Sequence, residues 1–106
     1  MQQLIDQLKQ FRDARDWAQF HNPKDLAMGL SIEASELLEA YLWKAPHEAD
    51  VAQVEEELAD VFAFALLLAD HYQFDVADIV SRKIATNAAK YPVSKAKGTA
   101  KKYTEL

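Results

Sequence analysis

Residues 29–43 read GLSIEASELLEAYLW and residues 55–69 read EEELADVFAFALLLA. In each run two acids stand three positions apart, Glu33 with Glu36 and Glu57 with Asp60. That spacing puts both side chains on one helical face, one turn apart. Leu26, Leu30 and Leu37 set the apolar stripe of the first run; at roughly 100° per residue Glu33 projects near its middle and Glu36 at its edge, beside Gly29. In the second run the stripe is Val54, Leu58, Val61, Phe64, Ala65 and Leu68. Glu57 points between Val61 and Phe64, and Asp60 between Phe64 and Leu67. Carboxylates that face a core must neutralise or find a cation, and few basic side chains lie on these runs to supply one.

A short connection brings the two pairs together. With the first run ending near Lys44 and the second starting near Asp50, the segment around Pro46 closes an antiparallel helical hairpin. At about 1.5 Å per residue, Glu36 and Glu57 lie roughly 12 and 10 Å from the turn, and Glu33 and Asp60 both roughly 15 Å. The pairs are level. Hard oxygen ligands without sulfur or obligatory imidazole suit Mg²⁺, with Mn²⁺ its usual substitute. One acidic pair is an ordinary feature of a solvated helix; two pairs on the apolar sides, level across one turn, point to a metal site. Glu39, Glu48, Glu55 and Asp70 fall off the stripes and read as solvated, with Glu56 at a stripe edge.

The rest of the composition bounds the class. A chain of 106 residues with half its residues apolar reads as one globular domain, residues 1–106, and only two Gly and three Pro favour helices. Lack of Cys removes disulfides, zinc–thiolate sites and thiol nucleophiles. The acid-bearing amphipathic start MQQLIDQLKQFRDARDW does not read as a targeting segment, and the longest apolar run, Val61 to Ala69, is too short for a bilayer. The expectation is a cytoplasmic protein with no membrane partner. A net charge of −5 argues against a nucleic-acid polymer as partner, although the basic residues concentrate between Arg82 and Lys102.

Periodicity predicts four main helices, over about 2–17, 23–43, 50–72 and 75–91. Asn22, Pro23 and Asp25 form a start signal for the second, and Asp75 caps the fourth, which Pro92 stops. The nine apolar residues from Val61 need cover on every side, which a lone hairpin lacks, so a homo-oligomer is expected. On the fourth helix Lys83, Asn87 and Lys90 continue the stripe of Val76, Ile79 and Val80. A lone Lys there would snorkel; three polar residues in succession read as phosphate and sugar ligands. Trp17 and Trp43 offer flat faces for a nucleobase, or else for an interface. Tyr91, Val93 and Tyr103 give the tail enough apolar surface to fold over something. His21, His47 and His71 read as capping, loop or packing residues, none spaced as a metal ligand to another.

E-x-x-E followed by E-x-x-D on paired helices resembles the MazG-like all-α nucleoside triphosphate pyrophosphohydrolases. The words RDWAQFHNP, EASELLEAYLWK, EEELADV and KIATNAAKYPVSKAKGTAKKYTEL look closest to the dCTP-hydrolysing branch. The resemblance runs from about Arg12 to Leu106. It implies a four-helix bundle assembled as a homodimer or homotetramer with sites built from more than one subunit. It also implies Mg²⁺-dependent cleavage of a nucleoside triphosphate between its α and β phosphates, dCTP or a modified dCTP, as housecleaning of the nucleotide pool. Glu33, Glu36, Glu57 and Asp60 match the family's metal-ligand positions. Glu33 and Glu36 are both open as the base, and Trp17, Trp43, Lys83, Asn87, Lys90, Tyr91 and Tyr103 are the candidate substrate contacts.

Two other readings compete, besides a pyrophosphohydrolase of different base preference. A di-iron bundle needs Glu-x-x-His twice, and the chain has none. A non-catalytic dimerisation module would pair the inward acids with lysines across helices.

Overall fold

The computed structural model describes all 106 residues, and every regular element is helical. The main helices are α1 (Gln2–Ala14), α2 (Pro23–Glu39), α3 (Val51–His71) and α4 (Val76–Lys90), followed by one turn of helix, α5 (Val93–Ala96). Short 3₁₀ turns occupy Ala18–Phe20, Pro46–Glu48 and Tyr103–Glu105. No helix is long and apolar enough to cross a membrane.

Helix starts follow local chemistry. Asn22 Oδ1 accepts from the Asp25 amide at 2.9 Å while its Nδ2 donates to Asp25 Oδ2 at 2.7 Å, with Pro23 in the first turn. Asp50 and Asp75 accept from the amides of Ala52 and Asp78 at 3.0 and 2.9 Å and start α3 and α4. The ends of α1 and α2 depart from the expected bounds. α1 stops at Ala14 rather than residue 17, because Asp16 adopts a left-handed φ of 55° and turns Trp17 off the helix. α2 stops at Glu39 rather than 43; the chain reverses through residues 40–44, with Trp43 at φ 61°, before the extended Ala45 that Pro46 demands.

The chain divides into two compact units, Met1–Gln73 and Phe74–Leu106. In the first, α2 and α3 pack as an antiparallel hairpin and α1 lies on α3. Its core is Ile5, Leu26, Ala40, Leu66, Leu67 and Ala69. Lys9 on α1 pairs with Asp70 on α3 at 3.4 Å, and the Asp70 side chain keeps only 15% of its exposure. Asp70 is therefore a pinned interhelical partner and not the solvated acid its position off the stripe suggests. The apolar run of α3 is not covered all round: Phe62 stays exposed, as do Leu58 one turn before it and Met1 and Leu4 on α1. In the second unit the tail folds back on the end of α4, where Tyr103 meets Tyr91 edge-on at 6.0 Å and Lys90 Nζ stands 4.9 Å from the Tyr103 ring.

Candidate metal and nucleotide site

The hairpin register places Glu33 and Glu36 of α2 opposite Glu57 of α3, with carboxylate oxygens of all three within 4.8 Å of one another. All are half-buried. Glu33 Oε2 and Glu57 Oε2 are shielded from solvent and have no hydrogen-bond partner. None of the ion pairs of the chain, Lys9–Asp70, Arg12–Asp13 and Arg82–Asp78, includes a member of the cluster. Desolvation, a hydrogen bond shared with Glu36 and the charges of Glu36, Asp60 and Glu57 push Glu33 up to about 7. Glu57 is raised as well, by desolvation first and then by the charge of Glu36. Converging carboxylate oxygens with no basic side chain paired to them fit a hard divalent cation.

Asp60 is the member of the acidic set that stands apart. It lies outside the group of mutually close oxygens and is exposed, although its charge still raises Glu33 and Glu57. Three residues on from Glu57 it is turned about 60° round the helix, toward α1. There it borders two pockets. One, of about 220 Å³, is lined by Trp17, His21, Phe64, Arg12, Leu8 and Phe11 among others. The other, of about 590 Å³, is an apolar groove that includes Met1, Leu4, Phe62 and Leu66.

The smaller pocket is aromatic with a few polar edges. Trp17 meets Phe11 edge-on at 5.7 Å, and the Arg15 guanidinium lies 3.7 Å from the Phe11 ring centre. His21 tilts against Phe64 with ring centres 6.4 Å apart, and its Nδ1 is buried without a partner. Desolvation, and secondarily the Arg12 charge, lower the His21 pKa and hold the imidazole neutral. His21 and Arg12 were not expected here from the sequence. The available signal was the place of His21 just before the N-cap Asn22, where a side chain folds back over the first helical turn.

Of the remaining candidates, Trp43 is 98% exposed and lines neither pocket. Lys83 and Asn87 line a groove of about 470 Å³ in the second unit together with Ile79, Val80 and Ile84. Lys90, Tyr91 and Tyr103 form the contact between α4 and the tail.

The sequence model of the MazG-like family matches residues 29–106, a span that crosses from the first unit into the second. The chain belongs to the MazG-like family. It is 37% identical over 105 residues to dCTP pyrophosphatase 1 of Mus musculus and 35% identical over 105 residues to that of Homo sapiens. Each alignment covers 92% of this chain and 62% of the relative, so the chain spans less than two thirds of those proteins. The crystal structure of a pyrophosphatase from Archaeoglobus fulgidus superimposes with a TM-score of 0.81 at 40% identity, covering 87% of this chain and 92% of that one. The acidic cluster, on Glu33, Glu36 and Glu57, lies within the stretch that the family match covers.

Proposed function

We propose that this MazG-like chain is a Mg²⁺-dependent nucleoside triphosphate pyrophosphohydrolase, converting an NTP and water to NMP and pyrophosphate, with dCTP or a modified dCTP as substrate. The observation that carries it is the convergence of Glu33, Glu36 and Glu57 with two shielded, unpartnered oxygens. The names of its relatives, dCTP pyrophosphatase 1 and pyrophosphatase, support the reaction type. The dimerisation-module reading is not favoured, since no lysine pairs with the cluster.

Glu33, Glu36 and Glu57 are the residues that would hold the cation, with Asp60 beside them. Once bound, a divalent cation supplies charge neutralisation between carboxylates and polyphosphate and acidifies a coordinated water. The protein does the rest. A carboxylate of the Glu33–Glu36 pair not consumed in ligation accepts the proton of the attacking water, and both residues stay open for that role. Water attacks the α-phosphorus, the bond to the bridging oxygen breaks, and pyrophosphate leaves with the bridging oxygen. Lys83 and Lys90 are assigned to the polyphosphate, Asn87 to the sugar, and Tyr91 and Tyr103 to the end of the same surface.

The base is assigned to the pocket lined by Trp17, where stacking and neutral His21 combine a flat face with a polar edge. We further propose that the family's four-helix bundle forms within a homodimer or homotetramer. The exposed Met1, Leu4, Leu58 and Phe62 support it, since a soluble helix pair does not leave such a surface open without a partner. The test is a panel of canonical and 5-modified nucleoside triphosphates with pyrophosphate detection. The expected result is Mg²⁺-dependent release of pyrophosphate, fastest with deoxycytidine triphosphates. A tenfold preference for a purine, about 1.4 kcal/mol of transition-state discrimination, overturns the cytosine assignment alone; no pyrophosphate from any triphosphate overturns the activity.

A further inference from the structure

Gly29 lies one turn before Glu33 on α2, and a Cβ built there would meet the Phe64 ring at Cε1, Cδ1 and Cζ, the last two at 2.7 and 2.9 Å. Such separations do not occur between a methyl group and a ring, so the ring occupies the volume of the missing side chain. Gly29 is helical, with no positive φ, and its want of a side chain serves packing and not backbone conformation. On its other contacts the same ring borders the Trp17 pocket and leans on His21. One ring therefore joins a tight contact between α2 and α3 to the aromatic pocket.

We infer that Gly29 is a positioning residue for the base: it lets Phe64 sink against α2, and the depth of that seat sets the width of the pocket. The inference rests on assigning the base to this pocket. A side chain at residue 29 moves the ring, and with it a pocket wall and the His21 face. The three clustered acids are affected less, because Glu33 and Glu36 are held by their own helix and Glu57 lies two turns from Phe64. The consequence is a change in nucleotide binding and base preference at constant demand for Mg²⁺.

Helix propensity gives the opposite expectation, since Ala at an interior Gly favours a helix. The experiment is a double-mutant cycle of Gly29→Ala and Phe64→Leu, measuring KM, kcat, Mg²⁺ requirement and the dCTP to dATP ratio in kcat/KM. Gly29→Ala is expected to raise KM for the nucleotide about tenfold and to shift the base ratio, with kcat at saturation within about twofold. In the chain that already carries Phe64→Leu the same replacement is expected to move KM by less than about twofold. Equal effects in both chains overturn the inference, as does an unchanged KM or a raised Mg²⁺ requirement with an unchanged base ratio. If Gly29→Ala alone does not fold, recovery of a folded, active protein on adding Phe64→Leu upholds the steric relation, and failure to recover overturns it. Wild-type protein assayed alongside separates the two levels: an inactive wild type sinks the assigned function, whereas an active wild type with no coupling sinks only the role of Gly29.

Discussion

Glu33 Oε2 on α2 and Glu57 Oε2 on α3 are both shielded from solvent, and neither receives a hydrogen bond. Acids left in this way weaken a fold that does not use them. Glu57→Gln is accordingly expected to lower kcat at least about 100-fold, the scale on which charged active-site groups act, while raising Tm in the presence of EDTA. Thermal melts paired with pyrophosphate release check it. Turnover near the wild-type level at saturating Mg²⁺ would remove Glu57 from the site. Asp60→Asn, at the margin of the cluster, is expected to lose less and to recover as Mg²⁺ is raised.

The raised pKa of Glu33 makes metal-free stability depend on pH with a definite sign. Its carboxyl titrates near 4.5 in an unfolded chain and is pushed up to about 7 in the fold, so the folded state holds the proton longer. Stability from this group is full below 4.5 and is lost as pH rises toward 7; the upward shift of Glu57 adds in the same direction. In EDTA, Tm should fall between those pH values. Mg²⁺ should reverse the slope, because it binds the ionised carboxylates and releases their protons. Scanning calorimetry across that range, with and without the ion, reads both. A metal-free Tm that climbs steadily with pH would contradict the arrangement.

How far the site is legible in the sequence depends on which coordinate of a helix is asked for. Rise along the axis comes from counting residues, and it put Glu36 level with Glu57 and Glu33 level with Asp60. Azimuth depends on how two helices turn to pack, and three residues of rotation carried Asp60 out of the group and toward α1. Starts of α2 and α4 were readable because Asn22 and Asp75 cap by contacts with residues three positions away. The ends of α1 and α2 were not, since Asp16 and Trp43 take left-handed φ values with no glycine to announce them. The Gly29–Phe64 seat has no local signature at all; it exists only between two helices already paired.

Lys83 tests the phosphate assignment on α4. It shares its groove with Ile79, Val80, Ile84 and Asn87, so a snorkelling stem and a phosphate ligand are both sterically served there. Lys83→Met keeps the stem and removes the charge. The expected outcome is a KM at least about fivefold higher for both Lys83→Met and Lys83→Ala, with little change in Tm. Kinetics unaltered by Met and altered by Ala would reduce Lys83 to packing.

Phe62 tests the assembly. It is 56% exposed on α3 and lines the apolar groove with Met1, Leu4 and Leu66. Phe62→Asp places a charge on that surface, and is expected to lower the mass in solution toward 12.0 kDa while leaving far-ultraviolet helicity intact. Analytical ultracentrifugation decides. An unaltered mass would place the copy–copy interface on another face.

Trp17 and Trp43 give the sharpest test of how the nucleotide site is shared. Trp17 lines the aromatic pocket, whereas Trp43 stands 98% exposed on the reversal after α2 and borders no part of that pocket in its own chain. If both stack on the base, Trp43 must reach it from a neighbouring copy. Alanine at either position should then raise KM about tenfold or more, the cost of losing one base–aromatic stack. Mixing the two variants under conditions that exchange subunits should restore part of the wild-type kcat/KM at low substrate, because some mixed sites regain Trp17 from one chain and Trp43 from the other. Homogeneous oligomers of either variant cannot do so. Loss of activity in Trp17→Ala alone, with Trp43→Ala like the wild type and no recovery on mixing, would confine the base to one chain and leave Trp43 without a part in the site.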